Sequence, residues 1–493
     1  MLKIKGKILT SQKILNKYSK DRSPYVIKPM IVSMPKNEKD IVEIIKYAIK
    51  NKIPITARGA GSNLSGSAVG RGIIIEFSKM NRILKVRNNS IWIQPGIIFD
   101  DMNKKMRKNG YFLPYTPSSG KFCTVGGNVG TKAAGLRSVK YGSTDAFVKN
   151  IRFVDIKGRL IDTSNKLPKD LEEKIFKIRK KILKDKKVIK ILKKRENLKT
   201  SSGYNLWALY KYNDPRDIVT HLFVGSVGTL GVFTAIELDL TKIPQKRITC
   251  LAYFNSLKES GKAVMEIRKI NPSALEILDF FSLDILKRNS KCNIPKKAVA
   301  SLLIELDDNF TIIENDRRKL EMLLKKHKAE YFIESDSKKQ EKLWEIRRDL
   351  LNIVESEKKD VIAFVEDIGV PPKHVADFIH DLENIFKKHK IDVVIFGHAG
   401  EGNLHLRPVI PRSGWKKLVK KIADECYKCA FKYGGTITGE HGIGRNKSPY
   451  LKQEWGNDVY KYFKEIKRAF DPEDLFNPEV MFPKHDIIHG MKY

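Results

Sequence analysis

Pro54–Gly66 reads PITARGAGSNLSG, and the meaning of this stretch decides what kind of fold the chain has. Arg58 is followed by Gly59 and Gly61, then by Ser62, Asn63 and Gly66. Glycines let consecutive backbone N–H groups curl into an anion-binding nest, and Ser and Asn side chains add donors. A nicotinamide-binding fingerprint requires G-x-G-x-x-G at the opening of a helix. Leu64 stands where the third glycine belongs, so a Rossmann reading fails. Taken alone, the loop is equally well an ordinary turn.

A second glycine-rich stretch changes that weighting. After the apolar run SIWIQPG and the amphipathic FDDMNKKMRKNGY comes FLPYTPSSGKFCTVGGNVGTKAAGLRSVKYGSTDAFVKNIRFVD, with Pro117, Gly126, Gly127, Asn128, Gly135, Tyr141 and Gly142 in order. A third element, GSVGTLGVFTAIEL, contains Gly228 and Ile236. Arg58–Gly72 and Gly120–Gly142 are too rich in Gly, Ser and Thr for core elements, so both are predicted as loops that approach a ligand closely. Around them, short apolar runs such as IVSMP, IPITA and GIIIEF alternate with helical patterns. In EKDIVEIIKYAIKN, for example, Ile41, Ile44, Ile45 and Ala48 recur at helical spacing. Such alternation argues for α/β or α+β layers. Thr241–Pro244 (TKIP) closes an apolar run and marks a domain boundary near residue 244. Beyond it, charged helices such as DRRKLEMLLKKHK alternate with strands such as ASLLIEL and DVVIFGH, the pattern of an α+β second domain.

The second domain carries its own constellation. Phe396–Pro408 reads FGHAGEGNLHLRP and Gly434–Lys447 reads GGTITGEHGIGRNK. The chain has 10 histidines, and His398, His405 and His441 all fall in these two segments beside glutamates. His398 and His405 are separated by glycines that forbid a regular helix, so a turn between strands is expected to bring both imidazoles to one point. Imidazoles with a carboxylate suit Zn²⁺, Mn²⁺ or Fe²⁺, and three protein ligands leave positions open for substrate.

Together these segments resemble the FAD-binding PCMH-type (vanillyl-alcohol oxidase) superfamily, in the branch of D-lactate dehydrogenases, glycolate oxidase D subunits and D-2-hydroxyglutarate dehydrogenases. The resemblance runs from about Tyr25 to Phe482. It implies an α+β chain: an N-terminal segment 1–24, a two-subdomain FAD-binding domain 25–244, a ferredoxin-like FAD-linked oxidase C-terminal domain 245–482 and a tail 483–493. By the same likeness, Arg58, Gly59, Gly61, Ser62, Asn63 and Gly66 would hold the FAD diphosphate. Pro117, Gly126, Gly127, Asn128, Gly135 and Gly142 would line the rest, with Gly228 to Ile236 near one end of the cofactor. Relatives that bind FAD covalently often place a His where Ser62 stands, so the flavin is expected to be non-covalent. The segments FGHAGEGNLH and GEHGIG resemble the branch's GHxGDGNLH and GEHGIG motifs, with Glu401 where Asp is usual. That makes His398, His405 and Glu440 the metal ligands, His441 the general base and Asn403 a supporting polar contact. LWEIRRDL resembles a W-x-x-R element whose arginine, here Arg347, would grip a carboxylate with its guanidinium fork. The lysine that would hold a second substrate carboxylate is missing, with Val365 near its place, which favours D-lactate or glycolate over D-2-hydroxyglutarate. A GHxGxGNLH and GEHG pair also argues against an alkylglycerone-phosphate synthase or a sugar oxidase of the same superfamily. The implied reaction takes the hydroxyl proton to His441 and the C2 hydride to FAD, with electrons leaving to a quinone, a cytochrome or an iron–sulfur partner.

Composition bounds the rest. The 94 Lys+Arg against 57 Asp+Glu give a net charge of +37, which admits nucleic acid, anionic membrane or acidic substrates as partners. The lysines are spread along the chain, and no helix-turn-helix, zinc finger or aromatic RNA-binding motif accompanies them, so no nucleic-acid partner is expected. Lys174–Lys199 carries Ile175, Ile178, Ile182, Ile189 and Leu192 at near-helical spacing: either a helix packed by its apolar stripe, or a face for peripheral membrane contact. Cys123, Cys250, Cys292, Cys426 and Cys429 make neither a disulfide scaffold nor an iron–sulfur set, and Cys426-x-x-Cys429 reads as one face of a helix. With no signal segment or apolar span recognised, the expected place is the cytoplasm, with any membrane contact at the inner face.

Overall fold

The computed structural model describes residues 2–289, 294–357 and 364–492 of the chain; Cys292 lies outside them. The first domain carries a four-stranded sheet in the order Lys7–Leu9, Ile31–Met34, Ile73–Glu76, Ile55–Arg58. Its last three strands run parallel, and Lys7–Leu9 adds antiparallel at the edge. The predicted helix is Glu38–Asn51: the Asn37 side chain caps it by accepting from Asp40 N–H, and Ile41, Ile44, Ile45 and Ala48 are buried. A second, antiparallel sheet follows in the order Ile83–Arg87, Ser90–Ile93, Val232–Asp239, Val148–Val154, Leu160–Asp162. The glycine-rich loops lie between these two sheets in the chain or lead out of them.

The second domain is a seven-stranded antiparallel sheet in the order Glu330–Glu334, Lys246–Phe254, Ala300–Asp308, Ala274–Leu278, Val393–His398, Asn403–Pro408, Ile368–Gly369. The hairpin Val393–His398/Asn403–Pro408 explains the histidine spacing. Its register pairs His398 with Asn403 and Phe396 with His405. Side chains opposite each other share a face, as do alternate residues along a strand. Seven positions apart in sequence, His398 and His405 are therefore diagonal neighbours on one face.

The two domains are joined by buried charge. Arg137 donates Nε and Nη2 to the Glu305 carboxylate at 2.6 and 2.8 Å, and Lys140 meets Asp307 at 3.0 Å. The tail is no loose end. Tyr25 OH donates to the Ile487 carbonyl at 2.5 Å, Tyr25 bridges Met491, and Phe476 bridges Ile55. Likewise Lys7–Leu9 makes the first residues part of a sheet rather than a separate segment.

Two local expectations change. Gly120–Gly142 is not all loop: Val125–Thr131 is a helix capped by Thr124, with Val125 and Val129 buried. Its glycines permit contact that a side chain would forbid, since a Cβ at Gly126 would lie 2.7 Å from the Pro95 carbonyl oxygen. Lys174–Lys199 is two helices, Lys169–Lys184 and Lys186–Lys194, broken at Asp185, which caps the second. Ile175, Ile178, Ile182 and Leu192 are buried in the main core, so the apolar stripe is spent on internal packing. Among the described residues no helix is long and apolar enough to cross a membrane. Cys426 and Cys429 sit on the helix Trp415–Lys432, the first buried and the second half-buried.

One buried carboxylate here yields a stability prediction. Asp279 accepts from Ser282 N–H at 2.8 Å through Oδ1, while its buried Oδ2 has no partner among the described residues, and burial pushes its pKa up to about 7. A folded-state pKa raised this way gives a contribution fully present at acid pH and lost as pH rises through 7. Asp279→Asn keeps the accepting oxygen and removes the charge. It should raise stability by roughly 1–3 kcal/mol at pH 8 and by little at pH 4. Thermal melts of both proteins at the two pH values check this; equal effects at both would refute the buried charge.

Candidate functional site

The hairpin histidines converge on a loop from the far side of the chain. His398 Nε2 lies 3.4 Å from His405 Nε2, and Glu440 Oε1 lies 3.2 and 3.3 Å from the two nitrogens. The opposite ring nitrogens are already engaged. His405 Nδ1 faces the Glu366 backbone carbonyl at 3.0 Å, an acceptor only, so it carries the proton. His398 Nδ1 faces the Glu276 carboxylate at 2.5 Å. With neutral imidazoles, three electron-pair donors thus point at one another, an arrangement that repels unless a cation or proton sits among them. Outer carboxylate and carbonyl partners that set the tautomer are what a metal-ligating His requires. Charge agrees: Glu276, Glu366, Asp367, Glu401 and Glu440 stand against Arg347, Lys199 and Lys447. That leaves two negative charges, which a divalent cation cancels. The donor set therefore fits such an ion.

His441 follows Glu440 and stacks on His405 at 5.1 Å between ring centroids. Its Nδ1 pairs with the Glu366 carboxylate, while Nε2 lies 3.6 Å from Glu440 Oε1. Burial opposes its charge, but Glu366 and then Asp367 outweigh burial and lift its pKa above the usual histidine value. For Glu366, burial is outweighed by His441 and Lys447, which bring its pKa to about 2. Beside it, Asp367 is fully buried and holds the loop itself. It accepts from His441 N–H at 2.9 Å, Glu440 N–H at 3.1 Å, Thr438 Oγ1 at 2.6 Å, Asn403 Nδ2 at 2.8 Å and Lys447 Nζ at 3.1 Å.

Glu440 and His441 also form one wall of a cleft. The other walls are the three glycine-rich elements: Arg58, Gly59, Gly61, Ser62 and Asn63; Pro117, Gly126, Gly127 and Asn128; and Gly228. Among the described residues, the backbone N–H groups of Gly59, Ala60, Gly61, Ser62, Asn63 and Leu64 donate to nothing in the protein. Consecutive unpaired backbone donors of this kind are the raw material of an anion nest. Asn63 and Ser65 tie this loop to the other wall, donating to the His441 and Gly442 carbonyls at 3.1 and 3.2 Å.

Several expected residues sit elsewhere. The Arg58 guanidinium is engaged by the Ala68 and Lys20 carbonyls at 3.0 and 2.8 Å, so it braces the loop. Gly66 packs on Tyr25, and Gly135 lies against the Tyr115 and Thr116 carbonyls, neither lining the cleft. Gly142 lines a second cavity. Ile236 is fully buried in strand Val232–Asp239, paired with Ile93 and Ile151, too deep in the sheet to line the cleft. Asn403 is fully buried behind Asp367, a brace for it. Arg347 donates Nε to Glu276 at 3.3 Å and lies 4.2 Å over the Phe396 ring, which ties it to the same carboxylate that orients His398. Val365 is fully buried, and residues 358–363 just before it lie outside the described residues.

Five charged residues of the cluster went unread: Lys199, Glu276, Glu366, Asp367 and Lys447. A signal existed for three. Glu276 interrupts the apolar strand ALEIL, and Glu366-Asp367 interrupt FVEDIGV, both expensive places for a carboxylate without a partner. Lys199 was hidden among neighbouring lysines.

Burial opposes charging His398, but Glu276 and Glu440 outweigh it, raising its pKa to about 9. Below that pH, a cation ligated by His398 must displace its proton. Binding Zn²⁺ at pH 7.5 should release at least one proton, and affinity should tighten as pH rises toward 9. Calorimetry in buffers of different ionisation enthalpy measures both; uptake without proton release would contradict the arrangement.

Comparison with known proteins agrees with the two-domain picture. Residues 29–164 match the FAD binding domain model, and residues 243–481 match the model of the FAD linked oxidase C-terminal domain. The chain is 33% identical to the glycolate oxidase subunit GlcD of Bacillus subtilis (strain 168), over 95% of this chain and 92% of that protein. It is 29% identical to a D-lactate dehydrogenase of Anaerostipes hadrus, over 92% of this chain and 89% of that one. It is 27% identical to a D-2-hydroxyglutarate dehydrogenase of Escherichia coli (strain K12), over 95% of this chain but 50% of that longer protein. A solved alkyldihydroxyacetonephosphate synthase structure shares the fold, with TM-score 0.66 at 18% identity over 96% of this chain and 82% of that one. The chain belongs to the FAD-linked oxidoreductase family of glycolate oxidase D subunits, D-lactate dehydrogenases and D-2-hydroxyglutarate dehydrogenases.

Proposed function

We propose that the chain is an FAD-dependent dehydrogenase of a small D-2-hydroxy acid, of the D-lactate or glycolate type, assisted by a divalent cation. The observation that carries this reading is the convergence of the His398–His405–Glu440 cluster and His441 on the wall of the glycine-lined cleft. FAD, bound without a covalent link, supplies the acceptor for a hydrogen with its electron pair, and the cation supplies Lewis acidity toward the substrate hydroxyl.

The chain's own residues do the rest. The free N–H groups of Gly59–Leu64 receive the cofactor diphosphate, and Gly126, Gly127 and Gly228 keep the walls low enough for close approach. His398, His405 and Glu440 hold the cation. His441 takes the hydroxyl proton at Nε2, because Nδ1 is committed to Glu366, whose charge raises the basicity of the ring. Oxidation of the acid to its 2-oxo product would thus leave the hydroxyl proton on His441, with the C2 hydrogen and its electron pair going to FAD when it is bound. Those electrons then leave to a separate acceptor, a quinone, a cytochrome or an iron–sulfur subunit. Val365 offers no charge for a second carboxylate, which favours the smaller acids.

Two measurements test the assignment. Anaerobic D-lactate, glycolate and D-2-hydroxyglutarate are added in turn to the flavin-loaded protein. Bleaching of the visible flavin bands is expected with D-lactate or glycolate. In His441→Asn, flavin and metal content should persist while bleaching slows by about 10²–10⁴-fold. No bleaching by any of the acids, or unchanged bleaching in the variant, sinks the reading. Separately, Gly126→Ala puts a Cβ 2.7 Å from the Pro95 carbonyl and shifts the cleft wall. It should weaken FAD binding at least tenfold; unaltered FAD affinity by fluorescence titration would remove this loop from the cofactor site.

A further inference from the structure

Lys199 is the one cluster member contributed by the chain between the first domain's basic helices and its return strand, and it is fixed with unusual care. Its side chain is only 6% exposed. The ammonium reaches three acceptors: Glu440 Oε2 at 2.8 Å, Glu401 Oε2 at 3.0 Å and Ser138 Oγ at 3.2 Å. Three N–H bonds thus meet three partners from three directions, which pins the nitrogen in place. The backbone beyond it is pinned as well. Thr200 Oγ1 pairs with Thr436 Oγ1 at 2.8 Å, Ser201 N–H donates to the Thr438 carbonyl at 3.0 Å, and Gly442 N–H donates to Ser201 Oγ at 3.1 Å. These bonds run along the strand-like path that ends in Glu440, so Lys199 and Glu440 share one rigid frame.

The division of the Glu440 carboxylate follows from this. Oε2 belongs to Lys199, while Oε1 alone faces His398, His405 and His441. Deepening the reading above and resting on it, we infer that Lys199 is a positioning residue for the metal centre. By holding Oε2 it makes Glu440 a one-oxygen ligand. A carboxylate gripping an ion through both oxygens would occupy a further coordination position; held through one, it leaves that position for the hydroxyl and carboxylate of the substrate. Glu401 is the other half of the device. Its longer side chain, at the place where the family resemblance expects Asp, reaches Lys199 and Ser138 and braces the ammonium from behind.

The bland alternative is that Lys199 only neutralises Glu401, and variants separate the two. Metal-stripped wild type, Lys199→Met and the double variant Lys199→Met/Glu401→Gln are titrated with Zn²⁺ against a chromophoric chelator. Their Co²⁺ forms are compared by visible absorption, which reports coordination geometry. FAD affinity is measured alongside. Both variants are expected to bind Zn²⁺ about 10–100-fold more weakly, with an altered Co²⁺ spectrum and unchanged FAD affinity. Should Lys199→Met fail to fold around its stranded glutamate, the double variant, which leaves no such charge, carries the test. Wild-type affinity and spectrum in the double variant would assign Lys199 to Glu401 alone and overturn the inference, as would tighter Zn²⁺ binding in either variant. A wild-type chain that takes up no divalent cation overturns the metal reading itself, and this inference with it.

Discussion

The buried carboxylate of Asp367 is the constraint on which the site depends. It lies just before the edge strand Ile368–Gly369 of the second domain's sheet and accepts from two consecutive backbone N–H groups, those of Glu440 and His441. Thr438, Asn403 and Lys447 complete its shell. An unpaired carboxylate at this depth would cost several kcal/mol, and removing a partner from a buried charge is correspondingly expensive. The loop Thr438–Gly442 consequently has one place to go. Once it is there, Glu440 faces the hairpin histidines and His441 faces the cleft. The neighbouring Glu366 completes the arrangement by holding the His441 ring.

Around that constraint the two domains divide the labour. The first supplies glycine-rich walls whose N–H groups are left free for an anion; the second supplies a rigid antiparallel sheet whose hairpin sets the imidazoles. Neither half makes the site alone. Asn63 and Ser65 reach from the first loop to the carbonyls of His441 and Gly442, Ser138 and Lys199 reach to Glu401, and Arg137 locks onto Glu305. Charge density is thus concentrated at the seam, where electrostatic interactions are strong because water is largely excluded. The remaining lysines of this +37 chain are mostly solvated or paired at the surface.

The sequence was legible where chemistry left a local pattern. Alternating strands and helices and the glycine-rich stretches showed in short windows, and two motifs singled out His398, His405, Glu440 and His441, which the fold brings together. What was not legible needed the third dimension. Arg58 resembles a ligand donor beside its glycines, yet its guanidinium is claimed by three carbonyls on the other side of the loop. Ile236 follows a cleft-lining glycine by a few residues, but the strand carries it into the core. Lys199 sits at the end of a lysine run that looks uniformly solvated, and only the path of the backbone beside Thr436 and Thr438 turns it inward. Sequence proximity predicted roles for residues in the motifs; it could not assign partners arriving from elsewhere in the chain.

Diffraction from crystals of the purified, flavin-replete protein, recorded on either side of the absorption edge of the metal found by elemental analysis, tests the central claim most directly. A single anomalous peak is expected at about 2.0–2.3 Å from His398 Nε2, His405 Nε2 and one oxygen of Glu440, beside the flavin cleft. A protein that oxidises a 2-hydroxy acid with no metal peak there, or with its metal bound elsewhere, would contradict it.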